Sequence, residues 1–328
     1  MMDQLIGGFA QQLKDAIAIG EKADLKQPDH EIHDIMVCGL GGSGIGANLV
    51  AEWVAGELPV PMVVNRNYHL PQFVDKHSLV IISSYSGNTE ETVAAMKEAL
   101  QRKAFIVAIT SGGQVKEMAM AHQCNLIEIP GGNPPRSALG LSFVQQLFAL
   151  FKLGFITGTA LQQVEQAIDR LEADGDTIRS EAKDLADYFL GKVPVLYSAV
   201  EYGSVAVRFR QQLNENAKML CWHQVLPEMN HNELVGWKDR YDQMAVLFMR
   251  HESDFARTQQ RIELTKQIVK EHTHSVRELW SKGDSPIERC IYLIHLTDWT
   301  TYYLAQMREE DAMEVHVIDY LKEELGKQ

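Results

Sequence analysis

Twice within its first ninety residues the chain runs a strand-like apolar stretch straight into glycines and hydroxyls, then into a helix-like stretch. The first case is Ile32-His-Asp-Ile-Met-Val-Cys38 followed by Gly39-Leu-Gly-Gly-Ser-Gly-Ile-Gly46. The second is Leu79-Val-Ile-Ile-Ser83 leading through Ser84-Tyr-Ser-Gly-Asn-Thr89. Strand, loop and helix repeated at this rhythm point to a parallel sheet, because parallel strands need crossover connections. Both loops then fall at the carboxyl ends of strands, where open α/β sheets bind ligands. Free amides and the positive dipole end of a helix favour an anion there. Ser84, Ser86 and Thr89 converge around Gly87, and Ser43 of the first loop can join them. Hydroxyls without a nearby lysine suit a small phosphomonoester better than a nucleoside triphosphate.

The alternation continues. Periodicity predicts helices over 3–20, 46–55, 90–102 and 115–122, and strands over 32–38, 60–65, 79–83, 104–110 and 126–129. The turn-rich Gly131-Gly-Asn-Pro-Pro-Arg136 interrupts it, and long helices over 137–155 and 160–190 follow. A second alternation places strands at 193–197, 244–248 and 275–279, with helices over 203–219, 259–272 and 285–307. The fold class is therefore α/β, with two doubly wound parallel-sheet domains joined by a helical connector. The expected domains are 1–157, carrying the phosphate loops, and 158–328, carrying the connector and the second sheet. No sequence similarity between the halves is evident.

A chain of 328 residues can bury two cores. Its net charge of −13 argues against nucleic acid or an anionic membrane as partner, since both need a cationic surface. The greasiest stretch, Leu139 to Leu161, is interrupted by Gln145, Gln146 and Lys152 and reads as a buried helix, not a membrane span. Cys38, Cys124, Cys221 and Cys290 are scattered, as reduced thiols are. With no visible signal peptide, the expected location is cytoplasmic.

Other chemistries fit less well. Gly39, Gly41 and Gly44 match the dinucleotide fingerprint, but the following strand ends in Asn65-Arg66 without the acidic residue that holds a ribose. Arg66 keeps a 2′-phosphate, and hence NADP, as an alternative. The hydroxyls of either loop taken alone could simply cap helices. His223, Glu228 and His231 lie within nine residues but lack metal-ligand spacing, so no metal and no cofactor is expected.

Six strings occur in order: GLGGSGIG, SYSGNTEET, TSGG (Thr110–Gly113), PPRSALG (Pro134–Gly140), NENAK (Asn214–Lys218) and PEMNHNE (Pro227–Glu233). Together they resemble the bifunctional phosphoglucose/phosphomannose isomerases of the sugar isomerase (SIS) superfamily. The resemblance runs from Gly39 to Ile318-Asp-Tyr-Leu-Lys322. It implies two SIS domains and a metal-independent, cofactor-free glycolytic isomerase. Such an enzyme interconverts glucose 6-phosphate, and mannose 6-phosphate, with fructose 6-phosphate through a cis-enediolate. It further implies that Gly42, Ser43, Ser84, Ser86 and Thr89 hold the phosphate and that Arg136 stabilises the enediolate. The same resemblance implies that Glu215 moves the proton and that His231 and Lys322 open the sugar ring. It implies a homodimer in which the partner subunit contributes His231. The stretch Asp311-Ala-Met-Glu-Val315 departs from the prolines and threonine that the family commonly has there, which leaves the register of the lysine open. A non-catalytic sugar-phosphate-binding SIS regulator is the alternative from another class.

The chemistry asks for such groups. One carboxylate placed between two carbons can take a proton from one and return it to the other; the competing role for Glu215 is a surface pair with Lys218. A rigid guanidinium suits charge spread over two oxygens, although Arg136 could also anchor its own loop. Histidine shuttles protons near neutral pH, as ring opening requires.

Overall fold

In the computed structural model, which describes residues 1–327, the chain forms two compact units. One comprises residues 8–172 with 285–288; the other comprises residues 1–7, 173–284 and the described residues from Arg289 on. In chain order, α1 (Met2–Gly7) and α2 (Phe9–Lys22) precede β1 (Asp34–Cys38), α3 (Gly41–Val54), β2 (Met62–Asn65) and β3 (Ser78–Ser84). Next come α4 (Glu90–Gln101), β4 (Phe105–Thr110), α5 (Gly113–Ala121), β5 (Asn125–Glu128) and α6 (Leu139–Lys152). The long α7 (Thr159–Phe189) leads into β6 (Val193–Ala199), α8 (Gly203–Glu215), β7 (Trp222–Leu226) and β8 (Met244–Arg250). The chain finishes with α9 (Ala256–Lys270), β9 (Val276–Trp280), α10 (Pro286–Met307) and α11 (His316–Leu325).

The first sheet has the order β2-β1-β3-β4-β5, with every pairing parallel. Its central strands β1, β3 and β4 are apolar on both faces, as a sheet covered on both sides requires. Met36, Cys38, Val80, Ile82, Ile106 and Ala108 point at α4 and α5, where Val93, Met96 and Val115 complete a buried cluster. The alternate residues Ile35, Val37, Leu79, Ile81 and Val107 are equally buried and face the other way. Burial, helped by the Glu98 carboxylate, lifts the Cys38 thiol to about 12, so it stays protonated. On that other side α6 is buried at every position from Leu139 to Leu150, and Gln145 donates to the Ala16 carbonyl of α2 at 2.8 Å. The expected buried helix is confirmed, and among the described residues no helix is long and apolar enough to cross a membrane. None of the four cysteines is in a disulfide.

The second sheet, β7-β6-β8-β9, is also wholly parallel. Its order repeats that of the first sheet without the fifth strand, so a relation between the halves that the sequence does not reveal is plain in the topology. Val195, Tyr197, Leu226, Val246 and Phe248 form one face, covered by Ile262 and Val269 of α9 and by Met229 and Trp237 of the loop after β7.

Three local expectations change. The predicted first helix breaks at Gly7-Gly8 into α1 and α2. α3 begins at Gly41, so most of the first glycine loop is itself helix. β7 was not anticipated: Trp-His-Gln-Val-Leu shows no apolar alternation, and this edge strand is half-buried along 222–225.

Candidate active site

β1 and β3 pair directly, with Val37 opposite Ile81 and Cys38 opposite Ile82. Chain connections leave these two neighbours in opposite directions, which opens the crevice where sheets of this order bind ligands. Both predicted loops meet there. A Cβ on Gly39 would lie 2.8 Å from the Ser83 carbonyl oxygen and 3.2 Å from the Ser43 Cβ, so only glycine lets the loops approach this closely. Ser43 is buried in the first turn of α3, whose amides face the crevice.

In the second loop the Ser84 hydroxyl donates to the Thr89 hydroxyl at 3.1 Å and accepts from the Gly87 amide at 3.2 Å. Ser86 is exposed and its hydroxyl accepts from the Asn88 amide. Thr89 stands at the N-cap of α4 but its side chain makes no capping bond there. Helix capping, the bland alternative, is thus not what Thr89 does. Arg136 joins the same place: it sits in a 3-10 turn, Pro135–Ser137, and is buried. A Cβ on Gly42 would lie 2.8 Å from the Pro135 carbonyl oxygen and 3.8 Å from the Arg136 Cα. The crevice therefore brings together Gly42, Ser43, Ser84, Ser86, Thr89 and the Arg136 turn.

Some contributors were quoted in the sequence but given no role. Gly87 has φ of +70°, and a Cβ there would fall 1.8 Å from the Gly112 carbonyl oxygen. Gly113 lies under the Ser86 carbonyl, and the Gln114 amide donates to the Asn88 side chain at 3.1 Å. The Thr110-Ser-Gly-Gly113 string is the buttress that shapes the second loop. Arg66 is exposed, with its Nε 3.4 Å from where a Gly44 Cβ would stand.

Glu215 is the last residue of α8 and half-buried. Its neighbours fix the helix end. Asn214 donates to the Met219 carbonyl at 2.7 Å, and the buried Asn216 donates to the Thr301 hydroxyl of α10 at 2.9 Å. A buried ion pair between Arg208 and Asp298, at 2.8 Å, holds the same two helices. Lys218, with φ of +54°, donates to the carbonyls of Glu215 (2.6 Å), Asp311 (2.9 Å) and Glu314 (2.8 Å). Its ammonium thus serves as a clasp between the helix end and the segment leading to α11. Together they enclose a pocket of about 290 Å³, lined by Glu215, Lys218, Glu314, Val317 and Ile318 among others. Lys322 is exposed and one helical turn beyond Ile318, so the two share a face of α11.

His231 is elsewhere in its unit. It ends a 3-10 turn, Glu228–His231, and is exposed. Its loop covers the sheet face of Tyr197 and Leu226, together with α9. α8 packs on β6 and β7 from the opposite face, where Arg210 reaches His223. Burial and that guanidinium hold His223 below the ordinary imidazole range. A single chain therefore keeps Glu215 and His231 on opposite faces of the second sheet. Among the described residues no three His, Cys, Asp or Glu side chains converge as metal ligands.

Comparison with known proteins decides the family. Residues 30–150 match the SIS domain, and residues 178–325 match the bacterial phospho-glucose isomerase C-terminal SIS domain. A bifunctional phosphoglucose/phosphomannose isomerase of Caldicellulosiruptor bescii is 35% identical over 337 residues, spanning 99% of both chains. The chain belongs to the bifunctional phosphoglucose/phosphomannose isomerase family. The namesake from Aquifex aeolicus is 35% identical over 89% of this chain and 90% of its own. Among solved structures, the C-terminal domain of glucosamine-fructose-6-phosphate aminotransferase from Francisella tularensis shares the fold, with a TM-score of 0.79 at 13% identity over 95% of this chain and 98% of that one. A member of this isomerase family is an enzyme acting on sugar phosphates.

Proposed function

We propose that the protein interconverts glucose 6-phosphate and mannose 6-phosphate with fructose 6-phosphate, through a cis-enediolate and without a metal. The observation that carries this is the crevice between β1 and β3, where Ser84 and Thr89 present hydroxyls that cap nothing, beside the amides of α3 and the Arg136 turn. There Gly42, Ser43, Ser84, Ser86 and Thr89 grip the phosphate. The Arg136 guanidinium, preset by its turn, stabilises the two oxygens on which charge develops. Glu215 removes the proton from carbon 2 of the aldose and returns it to carbon 1; its fixed helix end keeps the carboxylate in place through both transfers. His231 and Lys322 move protons between ring oxygen and anomeric hydroxyl.

The faces of the second sheet bear on the assembly. Because His231 and Glu215 lie on opposite sides of it, the proposal draws His231 from a second copy and makes a homodimer the working unit. The cytoplasm is the proposed location, and glycolysis the proposed setting.

A coupled assay with both aldose phosphates, with and without chelator, tests the activity: turnover of both that survives chelation is expected, and strict metal dependence overturns the metal-free route. Glu215→Gln should bind sugar phosphate without turning it over, whereas a regulator would show no turnover in either form. Mixing Glu215→Gln with His231→Ala subunits tests the shared site. Hybrid dimers recover activity that neither variant has alone if His231 crosses the interface, and recover none if it does not.

A further inference from the structure

The loop that carries His231 is held by a carboxylate to which sequence reasoning gave no role. Glu233 stands two residues beyond His231, at the start of a second 3-10 turn, Glu233–Gly236. Its Oε1 accepts from the Tyr197 hydroxyl of β6 at 2.5 Å and from the Trp222 indole of β7 at 3.0 Å. The Trp237 indole in turn donates to the Tyr197 oxygen at 3.0 Å. Burial, reinforced by the Glu233 carboxylate, pushes the Tyr197 phenol well above the ordinary tyrosine range. Tyr197 therefore keeps its proton and donates it to the Glu233 carboxylate. The other end of the loop is pinned separately: Met229 is fully buried, and Asn230 donates to the Thr265 hydroxyl of α9 at 2.9 Å. Between these two fastenings His231 is the exposed apex.

We infer that Glu233 is a positioning residue for His231, a clamp from β6 and β7 that fixes where the imidazole is presented. This rests on the reading of His231 as the ring-opening group. A merely structural carboxylate would act on fold stability whether or not the imidazole is present. A positioning carboxylate acts only while the imidazole is there to be positioned, and any acceptor of the same shape should replace it.

The test is a double-mutant cycle in kcat on the full-length protein. Glu233→Leu is expected to lower kcat about 10- to 100-fold, the scale of losing alignment at a reacting group, with KM changed far less. Glu233→Gln, which keeps an acceptor for Tyr197 and Trp222, should retain most of the activity. On a His231→Ala background, Glu233→Leu should cost nothing further. Tyr197→Phe removes the same bond from the donor side, and should reproduce the kcat loss if Glu233→Leu does not fold. Equal losses with and without His231 would overturn the clamp while leaving the role of His231 intact, as would full kcat in both Glu233→Leu and Tyr197→Phe. Near-normal turnover of both sugar phosphates by His231→Ala would overturn the role of His231 and the clamp together.

Discussion

The two sheets share a strand order but differ at the corresponding crevice. Between β1 and β3 the loops offer glycines and hydroxyls, with Ser84, Ser86 and Thr89 around a backbone kept bare by Gly87. Between β6 and β8 the equivalent loops read Val200-Glu-Tyr-Gly203 and His251-Glu-Ser-Asp-Phe255. There Asp254 accepts from the His251 amide at 2.9 Å, while Arg289 reaches both Ser253 and His251 Nδ1. The second crevice ties its polar side chains to one another and to its own backbone; the first sets small hydroxyls and glycines side by side at two strand ends. A switch point supplies a place for chemistry, and side chains decide whether anything can enter.

The strongest challenge to this contrast sets Arg136→Lys against Asp254→Asn. The first is expected to lower kcat about 10²- to 10³-fold, the usual worth of a group that stabilises a developing oxyanion. The second should leave kcat unchanged, and comparable losses in an assay of both would erase the distinction.

Next in size, Ser84→Ala and Thr89→Ala should each raise KM for a sugar phosphate about tenfold, as loss of one hydrogen bond to a charged group does. Ser253→Ala, their counterpart in the second sheet, should not move KM. Equal KM values across the three variants would remove the phosphate from the first crevice.

The smallest effect is one of stability. Burial raises the Asp254 carboxyl above its ordinary range, so the folded state favours the protonated acid. Stability that is present at low pH is therefore lost as pH rises through the unfolded value towards the folded one. Asp254→Asn should give a small rise in Tm at neutral pH that vanishes in acid. A fall in Tm at neutral pH would mean that the carboxylate is welcome there.

Much of this molecule was legible in its sequence, for physical reasons that differ along the chain. β3 was plain because Leu79 to Ile82 are buried on both faces and leave no polar residue to blur the run. The first crevice was legible because glycines and hydroxyls mark local backbone demands. β7 was not, since Trp222-His-Gln-Val-Leu226 offers neither an apolar alternation nor an unbroken apolar run. Lys218 was read as a possible partner of the Glu215 side chain; its bonds to three carbonyls depend on where residues 311 and 314 return in space. Glu233 was hidden for the same reason. Its partners Tyr197 and Trp222 come from two different strands, and no local spacing announces them.

The start of α3 has a consequence of its own. Gly42, Gly44 and Gly46 lie within its first two turns, and by intrinsic propensity each glycine in a helix costs roughly 1 kcal/mol relative to alanine. This end of the helix is accordingly the part most ready to fray, and its amide hydrogens should trade with solvent faster than those near Leu49 and Val50. Sugar phosphate arriving at those amides would quiet the exchange, so occupancy would be written into the backbone before any product forms.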